Sequence, residues 1–316
     1  MERTQERLDR AQGCLLGQLA GDSLGSLVEF EGPEEIAEAY PDGVRALADG
    51  GTWDTIAGQP TDDSEMALLL ARMLIGKGTY DQGAAAEAYR FWLDSEPFDC
   101  GMTIRAGLLG EPRIESQANG AMMRVSPLGI FGAGQDMQEV AEWAREDASI
   151  THPNPVCLQA NALFTMGVAT AVESGIGSKE LYTGISDWAQ AMEVDPTLAQ
   201  AIEESASSPP ADYHLRKSGW VLVAFANALW QLLHAESLED GVIDTVMRGG
   251  DTDTNAAICG ALLGAVHGRK GIPAQWEEAV LNCRPDLGNP SVLNPRPECF
   301  WPTDALELAE QLLQAR

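Results

Sequence analysis

The chain has 316 residues, and its 48 Asp and Glu against 20 Lys and Arg give a formal charge of −28. With 45% hydrophobic and 22% charged residues it has ample material for a buried core and not the profile of a disordered chain. The acid excess argues against gripping nucleic acid, which needs clustered Lys and Arg, and against adsorption to anionic lipid. The opening MERTQERLDR is charged and lacks an apolar stretch, so no secretory signal is expected and a cytoplasmic location is. Apolar residues then recur at i, i+3 and i+4 over residues 5–27, 64–75, 83–93, 138–148, 156–174, 178–192, 220–235, 238–246, 255–267, 274–282 and 304–314, predicting a helix in each. Thr61, Ser178 (ahead of Glu180) and Thr254 read as N-caps. Only short pieces such as 43–48 could pair as strands, and 205–212 (SASSPPAD) reads as a surface loop. The most apolar stretch, 219–235, is short for a membrane span and carries Asn227, Gln231 and His234, so it reads as a core helix. The six cysteines are scattered without a CxxC pair, which signals reduced thiols rather than a zinc site or disulfide framework. The length allows two domains, but no linker divides the chain. The expectation is one all-α domain over residues 1–316, and a monomer.

Glycine placement needs a reason. Gly13, Gly17, Gly21 and Gly25 recur every four residues, as do Gly260, Gly264 and Gly268 with Ala256. Each interior helical glycine costs about 1 kcal/mol against alanine. Close approach of two helix backbones compensates for that cost, and would hold the helix ends rigidly at one place.

Carboxylates concentrate where these helices begin or end. Glu29 closes the stretch GDSLGSLVEF, Asp62 and Asp63 lie in PTDDSE, and Asp251 and Asp253 lie in RGGDTDTN. A single acid at a helix start is an ordinary cap worth about 0.5–2 kcal/mol. Two acids beside threonines, twice over, exceed what a cap needs and suit hard divalent cations, which take oxygen ligands. If the five acids converge, their charges raise one another's pKa values unless cations are bound, and two divalent ions would offset four of the five. No GxSxG, HExxH, P-loop or strand-borne GxGxxG is present, which sets aside serine hydrolases, zincins and dinucleotide oxidoreductases.

Five segments in order, GCLLGQLAGDSLGSLVEF, TDDSEMALLLARML, NGAMMRVSPLG, THPNPVCLQAN and RGGDTDTNAAICGALLGAVHG, resemble the ADP-ribosylglycohydrolases of the DraG type across about residues 10–270. The resemblance implies an all-α, orthogonal helical domain with a binuclear Mg²⁺ or Mn²⁺ cleft at helix termini. It also implies removal of ADP-ribose from modified protein side chains, above all arginine, with relatives acting on serine-linked or polymeric ADP-ribose. On that resemblance Thr61, Asp62 and Asp63 hold the metals from one side, and Asp251, Asp253 and Thr254 from the other. Glu29 lies beside metals and ribose, so Glu29, Asp62 and Asp251 are the catalytic candidates. Asn119, Gly120, Ala121 and Met122 form the loop that receives the diphosphate and ribose, His152 contacts ADP-ribose, and Phe131 is a candidate for adenine stacking. Met123, Arg124 and Pro127 can be structural neighbours. Cleaving the C1″–N bond needs a water nucleophile, with Glu29 or one of the aspartates as base.

A reading from another class is an immunity or protective protein of the same fold that blocks a partner ADP-ribosyltransferase, its acidic surface steering it to a basic enzyme. Retention of both acidic motifs favours the hydrolase.

Overall fold

The computed structural model describes residues 2–210 and 217–315, and among these are fifteen α-helices and no strand. In chain order they are α1 (Glu2–Gly25), α2 (Pro33–Ala39), α3 (Asp62–Lys77), α4 (Gln82–Asp94), α5 (Met102–Leu108), α6 (Ser126–Gly132), α7 (Met137–Ser149), α8 (Pro155–Ser174), α9 (Ser178–Ala191), α10 (Pro196–Glu204), α11 (Val221–His234), α12 (Leu238–Met247), α13 (Thr252–His267), α14 (Ala274–Asn282) and α15 (Ala305–Gln314). All eleven helices expected from periodicity are present. Of the four additional ones, α2, α5 and α6 are seven residues long, too short for an apolar stripe to repeat, and α10 is nine.

The glycine stripes belong to α1 and α13, which lie antiparallel with their backbones in contact. A methyl group on Gly17 would fall within 3 Å of the Gly260 carbonyl, one on Gly264 within 3 Å of the Gly13 backbone, and one on Gly21 within 3 Å of Ala256. Gly25 meets the backbone of Asp253 in the same way. The C-terminal end of α1 is thereby locked beside the N-terminal end of α13. Around this pair one apolar core runs from Ala11 to Leu312, and a smaller cluster of Val140, Ala141, Ala162, Met166 and Ala169 joins α7 to α8. Helix α8 is long and apolar enough to cross a membrane, yet 78% of its most apolar window is buried inside the fold, the position of a core helix. Helix α11, the most apolar stretch of the sequence, is buried in the same core.

Several local expectations are corrected. Residues 43–48 pair with no strand; the side-chain amide of Gln275 takes the strand's place, accepting from Leu47 N–H (3.0 Å) and donating to its carbonyl (2.8 Å). Gly177, not Ser178, caps α9, with Glu180 accepting from the Gly177 N–H. Helix α13 begins at Thr252, so Thr254 stands inside its first turn and Asp251 at the cap position. Of the expected loop 205–212, Ser205 is buried with its hydroxyl donating to the Ile202 carbonyl (2.6 Å), and residues 211–216 lie outside those described. All six cysteines are free thiols.

The backbone contact makes a stability prediction. Gly260→Ala forces α13 off α1 and lowers stability by about 2–4 kcal/mol. Gly76→Ala, in α3 with nothing within 4 Å of the added carbon, raises it by up to about 1 kcal/mol. Urea unfolding of the two variants measures the opposite signs.

Candidate active site

The site starts with a cap supplied across the fold. Thr61 stands at the N-cap of α3, but its side chain does not close the helix. Asp22 does so from α1, accepting from the Thr61 N–H (3.2 Å), the Thr61 hydroxyl (2.8 Å) and the Ser64 N–H (3.1 Å). This ties the start of α3 to the end of α1 and frees the Thr61 oxygen to sit between Asp22 and Asp63 Oδ2, the latter 3.0 Å away. Asp253, in the first turn of α13, comes to the same place. Asp22, Asp63 and Asp253 each offer a carboxylate oxygen within 4.8 Å of the others, and all three are buried.

A second triad lies alongside. The segment after α1 is fastened to the one before α13 by reciprocal backbone bonds, Phe30 N–H to the Gly250 carbonyl (2.7 Å) and Gly250 N–H to the Glu31 carbonyl (2.9 Å). Glu29 is thus carried beside Asp251 and Asp253, again with ligand oxygens within 4.8 Å of one another. Asp253 is common to both triads. The two helix N-termini aimed here, those of α3 and α13, favour negative charge, yet the crowding is severe. Burial, opposed by hydrogen bonds from Ser64 and Thr61, leaves Asp22 raised to about 7. Burial and the neighbouring Asp251 push Glu29 up to about 8, and burial with Asp62 pushes Asp99 up to about 10. Asp63 and Asp253 are held well above the usual carboxylate range by burial and by neighbouring acids. Asp63 Oδ1 and Asp253 Oδ2 are buried without a hydrogen-bond partner. Orphaned, mutually repelling carboxylate oxygens that share one residue suit hard divalent cations.

Above the triads is a cavity of about 390 Å³. One wall is acidic, formed by Glu29, Asp62, Asp99, Asp251 and Thr254. Asp62 is fixed by the Gly101 N–H (3.2 Å). Asn119, Gly120 and His152 line the same cavity. The Asn119 amide donates to Asp251 Oδ2 (2.9 Å), and an isolated bridge from Ala118 to Trp220 holds its loop. Gly120 stands close to Ile104 and His152, since a methyl group there would meet the tip of Ile104 at 2.9 Å and the His152 ring at 3.2 Å. His152 is fully buried, and burial together with Arg124 pushes it down to about 3, so its ring is neutral. Arg124, itself fully buried and paired with Asp147 (3.0 Å), donates to Thr151 Oγ1 (2.9 Å). Thr151 Oγ1 lies 2.7 Å from His152 Nδ1, and we assign its proton to that bond because its oxygen already accepts from Arg124. The ring proton is left on Nε2, a buried donor with no partner.

The residues singled out from the sequence fall into three groups. Glu29, Asp62, Asp251, Thr254, Asn119, Gly120 and His152 line the cavity, while Thr61, Asp63 and Asp253 lie buried beneath it. Ala121 and Met122 instead turn their side chains into the core, and the Met122 N–H is used by the Asn119 carbonyl (2.7 Å), so it is not free for a diphosphate. Phe131 is also a core residue, packed against Trp143 with ring centroids 5.8 Å apart, which removes it from adenine stacking. Asp22 and Asp99 were not singled out. An acid between Gly21 and Gly25 on a helix face with no solvent is a readable signal for Asp22; nothing around Asp99 marks it.

The raised carboxylates set the pH behaviour of the cation-free protein. The unfolded chain ionises these groups near pH 4, whereas the native site holds its protons until about pH 7 and above, so native stability falls as pH rises through that window. Bound cations remove the penalty. With chelator the melting temperature is expected to decline from about pH 5 to about pH 8, and millimolar Mg²⁺ to raise it more at pH 8 than at pH 5. A gain equal at both pH values, or matched by NaCl of the same ionic strength, counts against a cation site here.

Comparison with known proteins agrees with this geometry. The family model described as ADP-ribosylglycohydrolase matches residues 3–316. The ADP-ribosyl-[dinitrogen reductase] glycohydrolase of Rhodospirillum rubrum is 33% identical over 286 residues, covering 85% of this chain and 89% of that protein. The ADP-ribosylarginine hydrolase Tri1 of Pseudomonas putida is 27% identical, covering 87% of this chain and 75% of that protein. A solved structure described as an ADP-ribosylglycohydrolase-related protein complex superposes with a TM-score of 0.81 at 25% identity, covering 98% and 99% of the two chains. With the match spanning the helix pair, both acidic helix starts and the loop of Asn119, the chain belongs to the ADP-ribosylglycohydrolase family and is a hydrolase of ADP-ribose linkages.

Proposed function

We propose that this hydrolase removes ADP-ribose from arginine side chains, reversing mono-ADP-ribosylation with two divalent cations, Mg²⁺ or Mn²⁺, at the joined triads. The observation that carries the reading is one cavity lined by Glu29 and Asp251 of the second triad, by Asp62 and by the unpaired His152 donor, with Asp253, the acid shared by both triads, buried next to them. The relative named as an ADP-ribosylarginine hydrolase supports the linkage. A cation pair would be held by Thr61, Asp62, Asp63, Asp251, Asp253 and Thr254, with Asp22 and Glu29 adding the remaining oxygens of the triads. When bound, such a pair supplies positive charge that grips ribose hydroxyls and acidifies a water.

The chain's own groups supply the rest. His152 Nε2–H donates to an oxygen of ADP-ribose, and as a neutral ring it does so without drawing the acids toward itself. Asn119 holds Asp251 in orientation. Glu29, on the cavity lining, takes the proton of the water that adds to C1″ and passes it to the departing guanidine nitrogen as the C1″–N bond breaks.

Release of ADP-ribose from an arginine-ADP-ribosylated protein, with Mg²⁺, with Mn²⁺ and with chelator, tests the reading, with a serine-linked substrate alongside. Metal-dependent release from arginine is expected, and the double variant Asp62→Ala, Asp253→Ala should lower it by at least about a hundredfold. Undiminished release by that variant removes the metal mechanism; release from serine alone reassigns the linkage.

A further inference from the structure

We propose that Trp53 is the positioning residue for Glu29, and that Asn294, in the segment between α14 and α15, holds Trp53 in place. The inference rests on the reading of the cleft as the hydrolytic site.

The Trp53 indole N–H donates to Glu29 Oε2 at 2.6 Å. A carboxylate at the end of a loop turns freely about its last torsion, and one short charge-assisted bond to a rigid ring fixes its plane. The turn that delivers the indole is docked backbone to backbone on the Glu29 segment. Gly51, at φ +79°, lies so close that a methyl group would meet Leu27 Cα and the Ser26 carbonyl at 2.6 Å. Thr52 donates its N–H to the Ser26 carbonyl (3.0 Å) and its hydroxyl to the Glu29 carbonyl (2.9 Å). Neighbouring residues of one turn therefore hold the same glutamate at its main chain and at its carboxylate. Phe30 and Phe98 flank the indole, with ring centroids 6.5 Å and 6.1 Å away.

The far side of the turn is held by the C-terminal segment. The Asn294 amide donates to the Trp53 carbonyl (2.5 Å), and Gln59 donates to the Asn294 carbonyl (2.7 Å). Two residues on, the buried Arg296 forms a two-bond pair with Glu65 of α3 (2.7 and 2.8 Å) and donates to the Ser95 carbonyl (3.0 Å). The segment thus joins the Trp53 turn, the metal-side helix and the loop that carries Asp99.

Trp53→Phe keeps the aromatic packing and removes the N–H. Its kcat for ADP-ribosyl-arginine hydrolysis should fall about 10- to 100-fold, with KM and the affinity for ADP-ribose within about twofold of wild type. Because Glu29 belongs to the second triad, Mn²⁺ affinity measured by calorimetry should also weaken, by about tenfold. Asn294→Ala should move kcat and Mn²⁺ affinity in the same directions, and the double variant should lose less than the product of the two single losses. Wild-type kcat and Mn²⁺ affinity in Trp53→Phe overturn the proposal. So does a rise in KM and a drop in ADP-ribose affinity that parallel the fall in kcat, since that marks general loosening of the pocket. The Mn²⁺ titration decides the Trp53 assignment even if the wild-type chain releases ADP-ribose from neither linkage, so the two readings fail separately.

Discussion

Everything in the site depends on one contact without side chains, the antiparallel packing of α1 on α13 through Gly13, Gly17, Gly21, Gly260 and Gly264. Where two backbones touch, axial sliding meets carbonyls and Cα atoms directly, so the register of the pair is fixed far more tightly than interdigitated Leu and Val would fix it. That register determines the chemistry. Asp22 follows Gly21, Gly25 abuts Asp253, and the two acids arrive within ligand distance because the helices cannot shift by a turn. Helix α3 joins at the same point because Asp22 caps it. Two helix starts and one helix end are therefore indexed to a single stripe of glycines.

The cost of that convergence is electrostatic. Buried carboxylates facing one another are destabilising, and the two buried arginines among the described residues do not relieve them. Arg124 is committed to Asp147 and Thr151, and Arg296 to Glu65 and Ser95, each buried and each bonded away from the triads. A lysine or arginine within reach of Asp63 or Asp253 would satisfy their orphaned oxygens and would compete with any exogenous cation for them. Stability comes from the core and the glycine contact, and the site draws on it.

The sequence carried the long-range part of this more openly than the short-range part. Glycines at a spacing of four, on two helices, announce a backbone contact because nothing else compensates their propensity cost. Doubled acids at two helix starts announce more than a cap. The short helices α5 and α6 were invisible because two turns cannot show a repeat. Asp22 lies in the same glycine-rich stretch, but its role is to cap a helix whose N-cap lies 39 residues further on, and such a bond leaves no local trace. Trp53 and Arg296 are harder still. Each acts on a residue remote in sequence, Glu29 and Glu65, and the residues around them follow no period. Met122 shows the reverse case, a residue of the loop whose side chain lies in the core and whose N–H is used within the loop.

A strongly acidic chain with a cleft of carboxylates is an unexpected host for a ligand carrying a diphosphate. The donors that line the same cavity resolve this by being neutral. His152 is buried so deeply that it stays uncharged, Arg124 reaches it only through the Thr151 hydroxyl, and the Asn119 amide is dipolar. Among the described residues that line the cavity, no side chain carries a positive charge. On the proposed reading of the cleft, the positive charge that meets an anion is then that of bound cations, and ligand binding is coupled to cation loading because the cavity attracts a diphosphate only after its acids have been neutralised.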